Sequence, residues 1–507
     1  MSKTKIQFIR NACSGWLVQF SAAIVAFFML PYNVNHLGKE AYGISVMAVT
    51  AVAMLNFLSV GMGPTLLRFF AQAVAKNDHQ EIRILSSTTQ FVLGSLGLIG
   101  AIFIVVGTPW FIQFYEVPKN YHYDTTILLL CIAGSFFLEF HNHIFNNIVL
   151  ADNRYDLVNL RRTISHWLRL ILLVVFYNVF TPSLAYLGLA LLIGGVYNYL
   201  ALIFTCYRRF GNAIFFSFKS IAFDRLPHLF SFGFLSLINN VFFALSIQVP
   251  LLIIGKTLGT EAVTMFSPAI SVAFFLAQLM SQVCNPLVPI AARDNICNQN
   301  KNLGRWAILF GQIIACMGYG CIIFAILFMP DVLRVWMGER FISMSPTVVV
   351  LVIGVTYANI QAVNYNLALG ANTISPMAYS AVVMAVFTTL GTLLGTAYWN
   401  WGLLEVAWCI TIIRILRNTF FLTWIYSVLF PYSFYNYFFN VYIRSSVGGL
   451  LLLAGVFLIK KYYFAFQPGL PFLALEIAVV GLLYAICAWF LSFNRETRIF
   501  LIKRGNT

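Results

Sequence analysis

Charge is what this chain has least of. Only 9% of its 507 residues are Asp, Glu, Lys or Arg, against about 25% in a soluble domain. Sixty per cent are hydrophobic, more apolar surface than a folded core can hide, so lipid must be the second solvent. That excludes a soluble enzyme and a single-anchor protein with a globular head. Long polar loops are missing too, which leaves no room for a separate domain. The nine cysteines form no CxxC pair and read as small hydrophobes inside apolar stretches. Neither GxxxxGK followed by Ser or Thr, nor GxGxxG, nor a metal-ligand cluster occurs. No cofactor, no metal and no ATP-driven transport by this chain alone are therefore expected. Basic runs are absent as well. A net charge of +15 would suit nucleic acid, but Lys and Arg are scattered through short loops, as in an inner-membrane protein. No nucleic-acid partner is expected.

What is present is a succession of apolar runs of membrane-spanning length, about 20 residues each. Fourteen are read: 12–32, 41–66, 86–114, 125–150, 163–180, 183–206, 228–255, 262–289, 306–329, 344–369, 376–398, 402–426, 442–459 and 471–493. The fold class expected is an all-α polytopic membrane protein. Lys3, Lys5 and Arg10 precede the first run as in a secretory signal, but the run from Cys13 to Pro31 is too long for one. An uncleaved span is expected. Alternate loops carry twenty-one cations on one side and seven on the other, with Arg169, Arg414 and Arg417 inside spans. Under the positive-inside rule both termini are cytoplasmic.

The chain also repeats itself. Leu37-Gly38-Lys39-Glu40-Ala41 matches Leu258-Gly259-Thr260-Glu261-Ala262 at an offset of 221. Asn147 to Asn153 matches Asn366 to Asn372 at 219, and Pro64 matches Pro286 at 222. Each copy holds six spans. Six is even, so both copies enter the membrane in one orientation, as parallel repeats around a central cavity. The expected organisation is a lobe 1–206, a basic cytoplasmic linker 207–227, a second lobe 228–426, and two additional helices with a tail over 427–507.

Arg10-Asn11, the stretch Leu37 to Gly43, Gly61-Met62-Gly63, Arg68-Phe69 and Asn77-Asp78 give the chain its family likeness. It resembles the polysaccharide transporter branch of the multidrug/oligosaccharidyl-lipid/polysaccharide exporter superfamily. The resemblance implies a flippase that moves polyprenyl-diphosphate-linked oligosaccharide to the outer leaflet by alternating access, often coupled to an ion gradient. Implied partners are the lipid-linked oligosaccharide, membrane lipids, and a polysaccharide polymerase or chain-length regulator. The drug-exporting branch, whose members often carry a carboxylate in the first helix, is the alternative. Here the first span offers Gln19 and Ser21 and no carboxylate, a departure that favours the saccharide branch. A membrane-embedded glycosyltransferase or polymerase would need catalytic acids at a membrane boundary and a large outer loop, and no outer loop is large.

Polar residues inside spans need a reason, because a charge at mid-bilayer costs several kcal/mol. Glu139, Asn142, His143 and Asn146 recur at i, i+3, i+4 and i+7 on one helical face. They read either as a cavity stripe, with Glu139 and His143 as ion-coupling candidates, or as a network joining helices. Arg162, His166 and Arg169 share a face of the next span. Arg169, about 10 Å deeper than Arg162, would neutralise Glu139 or bind a diphosphate. Arg414 and Arg417 either face the cavity or mark a cytoplasmic boundary. Asn239, Asn240, Gln278, Gln282 and Asn359 complete the cavity-lining candidates, since amides both donate to and accept from sugar hydroxyls. Interhelical bonding is the competing reading for each.

Overall fold

The computed structural model describes residues 3–56, 63–222, 234–281, 283, 284, 287, 291, 300–371, 373–430, 432–451, 453, 470–494 and 496–499. Among them the regular structure is helical throughout, with no strand. Helices suit a bilayer because each satisfies its own backbone hydrogen bonds away from water. Among the described residues, ten helices are long and apolar enough to cross a membrane. One of these, Ser14–Ala53, is two helices meeting at Gly38, whose φ of 81° and ψ of 166° break the helical path. Tyr155–Val179 has the length, 25 residues, but Arg161, Arg162 and Arg169 dilute its apolarity. The stretch 454–469, which holds the end of the expected span 442–459 and the connection to the next, lies outside the described residues.

In chain order the helices are α1 (Lys3–Ala53), α2 (Gly63–Ala75), α3 (His79–Phe114), α4 (His122–Ala151), α5 (Tyr155–Val179) and α6 (Leu184–Phe210). Then come α7 (Phe234–Thr257), α8 (Thr260–Ser281), α9 (Asn300–Met337), α10 (Ser345–Gly370) and α11 (Ser375–Tyr398). In α12, Leu403–Ile415 leads through a π-helical stretch Leu416–Leu422 into Thr423–Leu429. Helix α13 opens with Phe434–Tyr437 and a π stretch Phe438–Ile443, and α14 runs from Leu470–Cys487 into a π stretch Ala488–Ser492.

Apolar counting underestimates several of these helices. Helix α3 starts at His79 instead of 86 because the Asp78 side chain caps it, accepting from the Glu81 backbone N–H at 2.9 Å. Its 36 residues reach about 54 Å, well beyond a hydrocarbon layer of about 30 Å, so its first turns are polar. Helix α5 begins at Tyr155 instead of 163, and α2 runs on to Ala75 instead of stopping at 66.

The chain divides into two compact units, one of Met1–Ala244 with Ile254–Thr264, the other of Leu245–Ile253 with Met265–Thr507. In the first, α4 is the central helix, packed along α6, α3 and α2, while α5 lies against α1 and α6. Close approach needs small residues: a Cβ on Gly100 of α3 would meet the Phe136 ring of α4 at 2.3 Å, and one on Gly97 would meet Phe140 at 3.0 Å. In the second unit, α10 packs between α9 and α12, and α12 also contacts α11. Helix α14 closes on α9 through Ile477, Val480 and Tyr484 packed on Ile323, Leu327 and Phe328.

The three π stretches share one feature. A π turn inserts an extra residue and leaves carbonyls without their i+4 partner. In α12 the Asn418 carbonyl accepts from Thr423 Oγ1 at 3.1 Å, and in α13 the Asn440 carbonyl accepts from Ser445 Oγ at 3.3 Å. In α14 the Ala488 carbonyl accepts from the Phe493 N–H at 3.1 Å. Each partner lies five residues on.

Candidate functional site

In the first unit the α4 stripe lies as its spacing predicts, but its members differ in environment. Asn142 and Asn146 are buried, at 6% and 7% exposure, and their Oδ1 atoms meet no donor among the described residues. Glu139 is exposed and forms no hydrogen bond or ion pair among the described residues. Even so, it lies within electrostatic reach of His143, Arg162 and Arg169. One carboxylate thus faces two guanidinium groups and an imidazole. His143 is half-buried, and its backbone carbonyl accepts from Asn147 Nδ2 at 2.7 Å.

Arg169 reaches this region because α6 has no side chain in its path. A Cβ on Gly194 would lie 2.5 Å from both Cγ and Nε of Arg169, so the arginine stem runs directly across that glycine. One turn earlier on α5, Ser165 Oγ donates to the Gly194 carbonyl at 2.9 Å and fixes the two helices there. Arg169 Nε is buried with no acceptor among the described residues. His166 sits between Arg162 and Arg169 and feels both charges. The cluster is cationic overall, with unused donors and amide acceptors, and so suits an anionic group that carries hydroxyls. Asn239, on α7, is buried and Asn240 half-buried.

The second unit places its candidates differently. Arg417 is bound on every arm: Nε to Ser380 Oγ at 3.0 Å, Nη2 to the Met377 carbonyl at 3.0 Å, Nη1 to Asn418 Oδ1 at 3.4 Å. It ties the π stretch of α12 to the start of α11. Arg414 is 3% exposed, and its carbonyl accepts from Asn418 Nδ2 at 2.8 Å. Asn359 Nδ2 turns back to the Val355 carbonyl of its own helix at 2.9 Å. Gln278 is exposed, and Gln282 lies outside the described residues.

Sequence reasoning missed the richest polar cluster of that unit. Gln361 Nε2 donates to Thr423 Oγ1 at 2.6 Å and to Tyr442 OH at 3.2 Å, while Asn364 Nδ2 donates to Gln361 Oε1 at 2.8 Å. These two amides occupy the face of α10 opposite to the one that carries the candidate Asn359. A second chain links α9, α13 and α14. Gln312 Nε2 donates to the Asn440 carbonyl at 3.1 Å, Thr497 Oγ1 donates to Gln312 Oε1 at 2.6 Å, and Ser492 Oγ donates to the Ser445 carbonyl at 3.2 Å.

The family model described as "Polysaccharide biosynthesis protein" matches residues 8–293. This is more than half of the chain. The chain belongs to that family. A Shigella flexneri protein described as "Putative O-antigen transporter" is 21% identical over 412 residues, 80% of this chain and 94% of the relative. Among solved structures, the lipid II flippase MurJ in an inward closed conformation superimposes with a TM-score of 0.72 at 12% identity, covering 95% of this chain and 98% of the other. An inward-facing multidrug resistance MATE family transporter of the MOP superfamily gives 0.68 at 12% identity, over 88% and 99%. The fold is the one these two solved structures share. These relatives are transporters and flippases, not enzymes.

The family stretches have visible structural tasks. Arg10 Nε pairs with Asp156 at 2.8 Å, Asn11 Nδ2 donates to the Asn153 carbonyl at 3.0 Å, and Asn11 Oδ1 accepts the Asp156 N–H at 3.2 Å. Together they clasp the start of α1 to the α4–α5 turn, where Arg154 binds Asp156 with both Nε and Nη2. Gly38 and Gly259, the paired glycines of the repeat, have φ of 81° and 89°. Space does not demand glycine at either, since a Cβ would touch nothing within 4 Å. The backbone conformation does, because side chains disfavour positive φ.

Proposed function

We propose that this chain moves a polyprenyl-diphosphate-linked oligosaccharide from the cytoplasmic to the outer leaflet, coupled to an ion gradient, in cell-surface polysaccharide biosynthesis. Family membership supports the cargo class. The observation that carries the assignment to a site is Glu139 facing Arg162, Arg169 and His143 beside two unpaired buried amides. In this reading Arg169 and Arg162 receive the diphosphate, with Asn142 and Asn146 beside the sugar. Glu139 and His143 take up and release the coupling proton.

Residues 1–206 rock against 228–426 about the linker 207–227, and the lipid tail stays in the bilayer while the headgroup crosses. Both termini are assigned to the cytoplasmic side of the inner membrane by the twenty-one to seven bias of loop cations. A polymerase or chain-length regulator receives the product on the outer side. The deciding experiment is leaflet-resolved transport in proteoliposomes, with a polyprenyl-diphosphate oligosaccharide and an imposed proton or sodium gradient. Protein-dependent, gradient-dependent headgroup movement is the expected result. Export of organic cations with no saccharide-lipid movement would replace this reading with the antiporter.

A further inference from the structure

The segment after α6 is the start of the linker between the two repeats, and it is held down along its length. Gly211, with φ of 57°, turns the chain off α6, a conformation that glycine accepts without strain. Two short 3-10 turns follow, Gly211–Ile214 and Phe218–Ser220. The backbone here belongs to no extended helix, and its polar groups go to the first turns of α3. Ser86 Oγ donates to the Ile214 carbonyl at 2.9 Å, and Gln90 Nε2 donates to the same carbonyl at 2.7 Å. The Ser217 N–H donates to Ser87 Oγ at 3.2 Å, and the Ala222 N–H donates to Thr88 Oγ1 at 2.9 Å. Three consecutive hydroxyl residues, each 0% to 1% exposed, thus receive one linker segment.

Clamped inward by its backbone, the segment turns its large side chains outward. Phe215, Phe216 and Phe218 are 46%, 39% and 77% exposed, whereas Ala213 and Ile214 are buried beneath. The Phe216 and Phe218 rings meet edge to face at 4.7 Å, and Phe215 lies 5.8 Å from Tyr207. Cations flank this aromatic face. Arg209 is neutralised by Asp152 at 3.0 Å. Arg208, stacked over Phe204 at 4.3 Å, and Lys219 are exposed and have no acidic partner among the described residues. The apolar span Leu184–Ile214 ends within this segment. Exposed rings beside unneutralised cations, at the depth where a span leaves the hydrocarbon, match an interface of acyl chains below and phosphates above.

We infer that residues 208–219 form a membrane-surface element that selects anionic phospholipid, with Phe215, Phe216 and Phe218 inserted and Arg208 and Lys219 on the phosphates. The element is fixed to α3, so the lipid layer holds the near end of the inter-repeat linker in register with the first unit. It does not require the site on α4 and α5 to be assigned correctly.

The test places p-benzoylphenylalanine at position 218 of the full-length protein in vesicles of equimolar phosphatidylglycerol and phosphatidylcholine. Crosslinked lipid is then identified by mass spectrometry. A basic residue near an anionic surface multiplies local partition about fivefold, so phosphatidylglycerol adducts are expected in several-fold excess. Arg208→Gln with Lys219→Gln is expected to bring the ratio to parity while leaving the total lipid yield intact. Because both side chains are exposed, that double variant folds. Thr88→Val, which removes one clamp, is expected to lower the lipid yield at 218 in the wild-type charge background. Equal adducts in the parent protein, a ratio indifferent to the double variant, or crosslinks to protein alone would each overturn the proposal.

Discussion

Gly194 and Gly195 are adjacent on α6 and make opposite predictions. A methyl added at Gly195 meets Ser135 at 3.8 to 3.9 Å, ordinary van der Waals contact. One added at Gly194 falls 2.5 Å from Arg169 Cγ and Nε. Alanine in a helix interior is favoured over glycine by about 1 kcal/mol, so Gly195→Ala should raise the melting temperature slightly and leave transport unchanged. Gly194→Ala has the same propensity gain but forces Arg169 aside, and overpacking of this kind costs about 1–3 kcal/mol. The net stability change is therefore small, between about zero and 2 kcal/mol unfavourable. The effect on transport is the larger one, because an ångström of misplacement in a charged group costs about a hundredfold in rate. Paired headgroup-transport rates and melting curves for both variants decide it. If Gly194→Ala transports at the wild-type rate, Arg169 does not need its seat and the cluster around Glu139 is not the site.

Other outcomes follow from the same structure. Glu139→Gln and Arg169→Ala should abolish transport in proteoliposomes while leaving the melting temperature near wild type. Asp156→Ala should destabilise the protein by about 2 kcal/mol. Its carboxylate is 4% exposed but its partners Arg10 and Arg154 are 57% and 35% exposed and regain water, so melting should fall only by a few degrees. Gly38→Ala and Gly259→Ala should each cost about 1–3 kcal/mol for strained backbone, a loss that thermal melting would detect. The Lys256 ammonium, 2.7 Å from Glu116, holds that carboxyl below its ordinary value of 4.5. A lowered pKa stabilises the fold above the unfolded value and ceases to as pH falls through the folded one. The melting difference between wild type and Lys256→Met should therefore close only in acid below pH 4.5.

Hydropathy makes the membrane class legible because the bilayer imposes one length on every span. The repeat could be read because Leu37 to Ala41 recurs at Leu258 to Ala262, and in the structure both of its glycines take positive φ. Helix α5 begins eight residues before the apolar run because Arg161 and Arg162 interrupt the run without interrupting the helix. Periodicity placed Glu139 and Asn142 on one face, yet could not reveal that one is exposed and the other buried, which depends on neighbours distant in sequence. The Ser86–Thr88 clamp carries a visible signal, a hydroxyl run opening an apolar span. Its partner is the backbone of residues 214 to 222, and backbone donors and acceptors leave no trace in composition. Gln361 and Asn364 escaped because the competing face of α10 also carries amides.

One amide of the second unit bears on how such a chain can be shortened or extended over evolutionary time. Gln312 is 0% exposed, and its partners Asn440 and Thr497 both lie beyond residue 430. Deleting the chain after α12 would leave both ends of this amide unmet, at several kcal/mol for each unmet polar group. The terminal pair is thus no detachable addition. A relative of this fold that stops after α12 is expected to carry an apolar residue at this position, and a lineage that gained the pair had to acquire the amide with it.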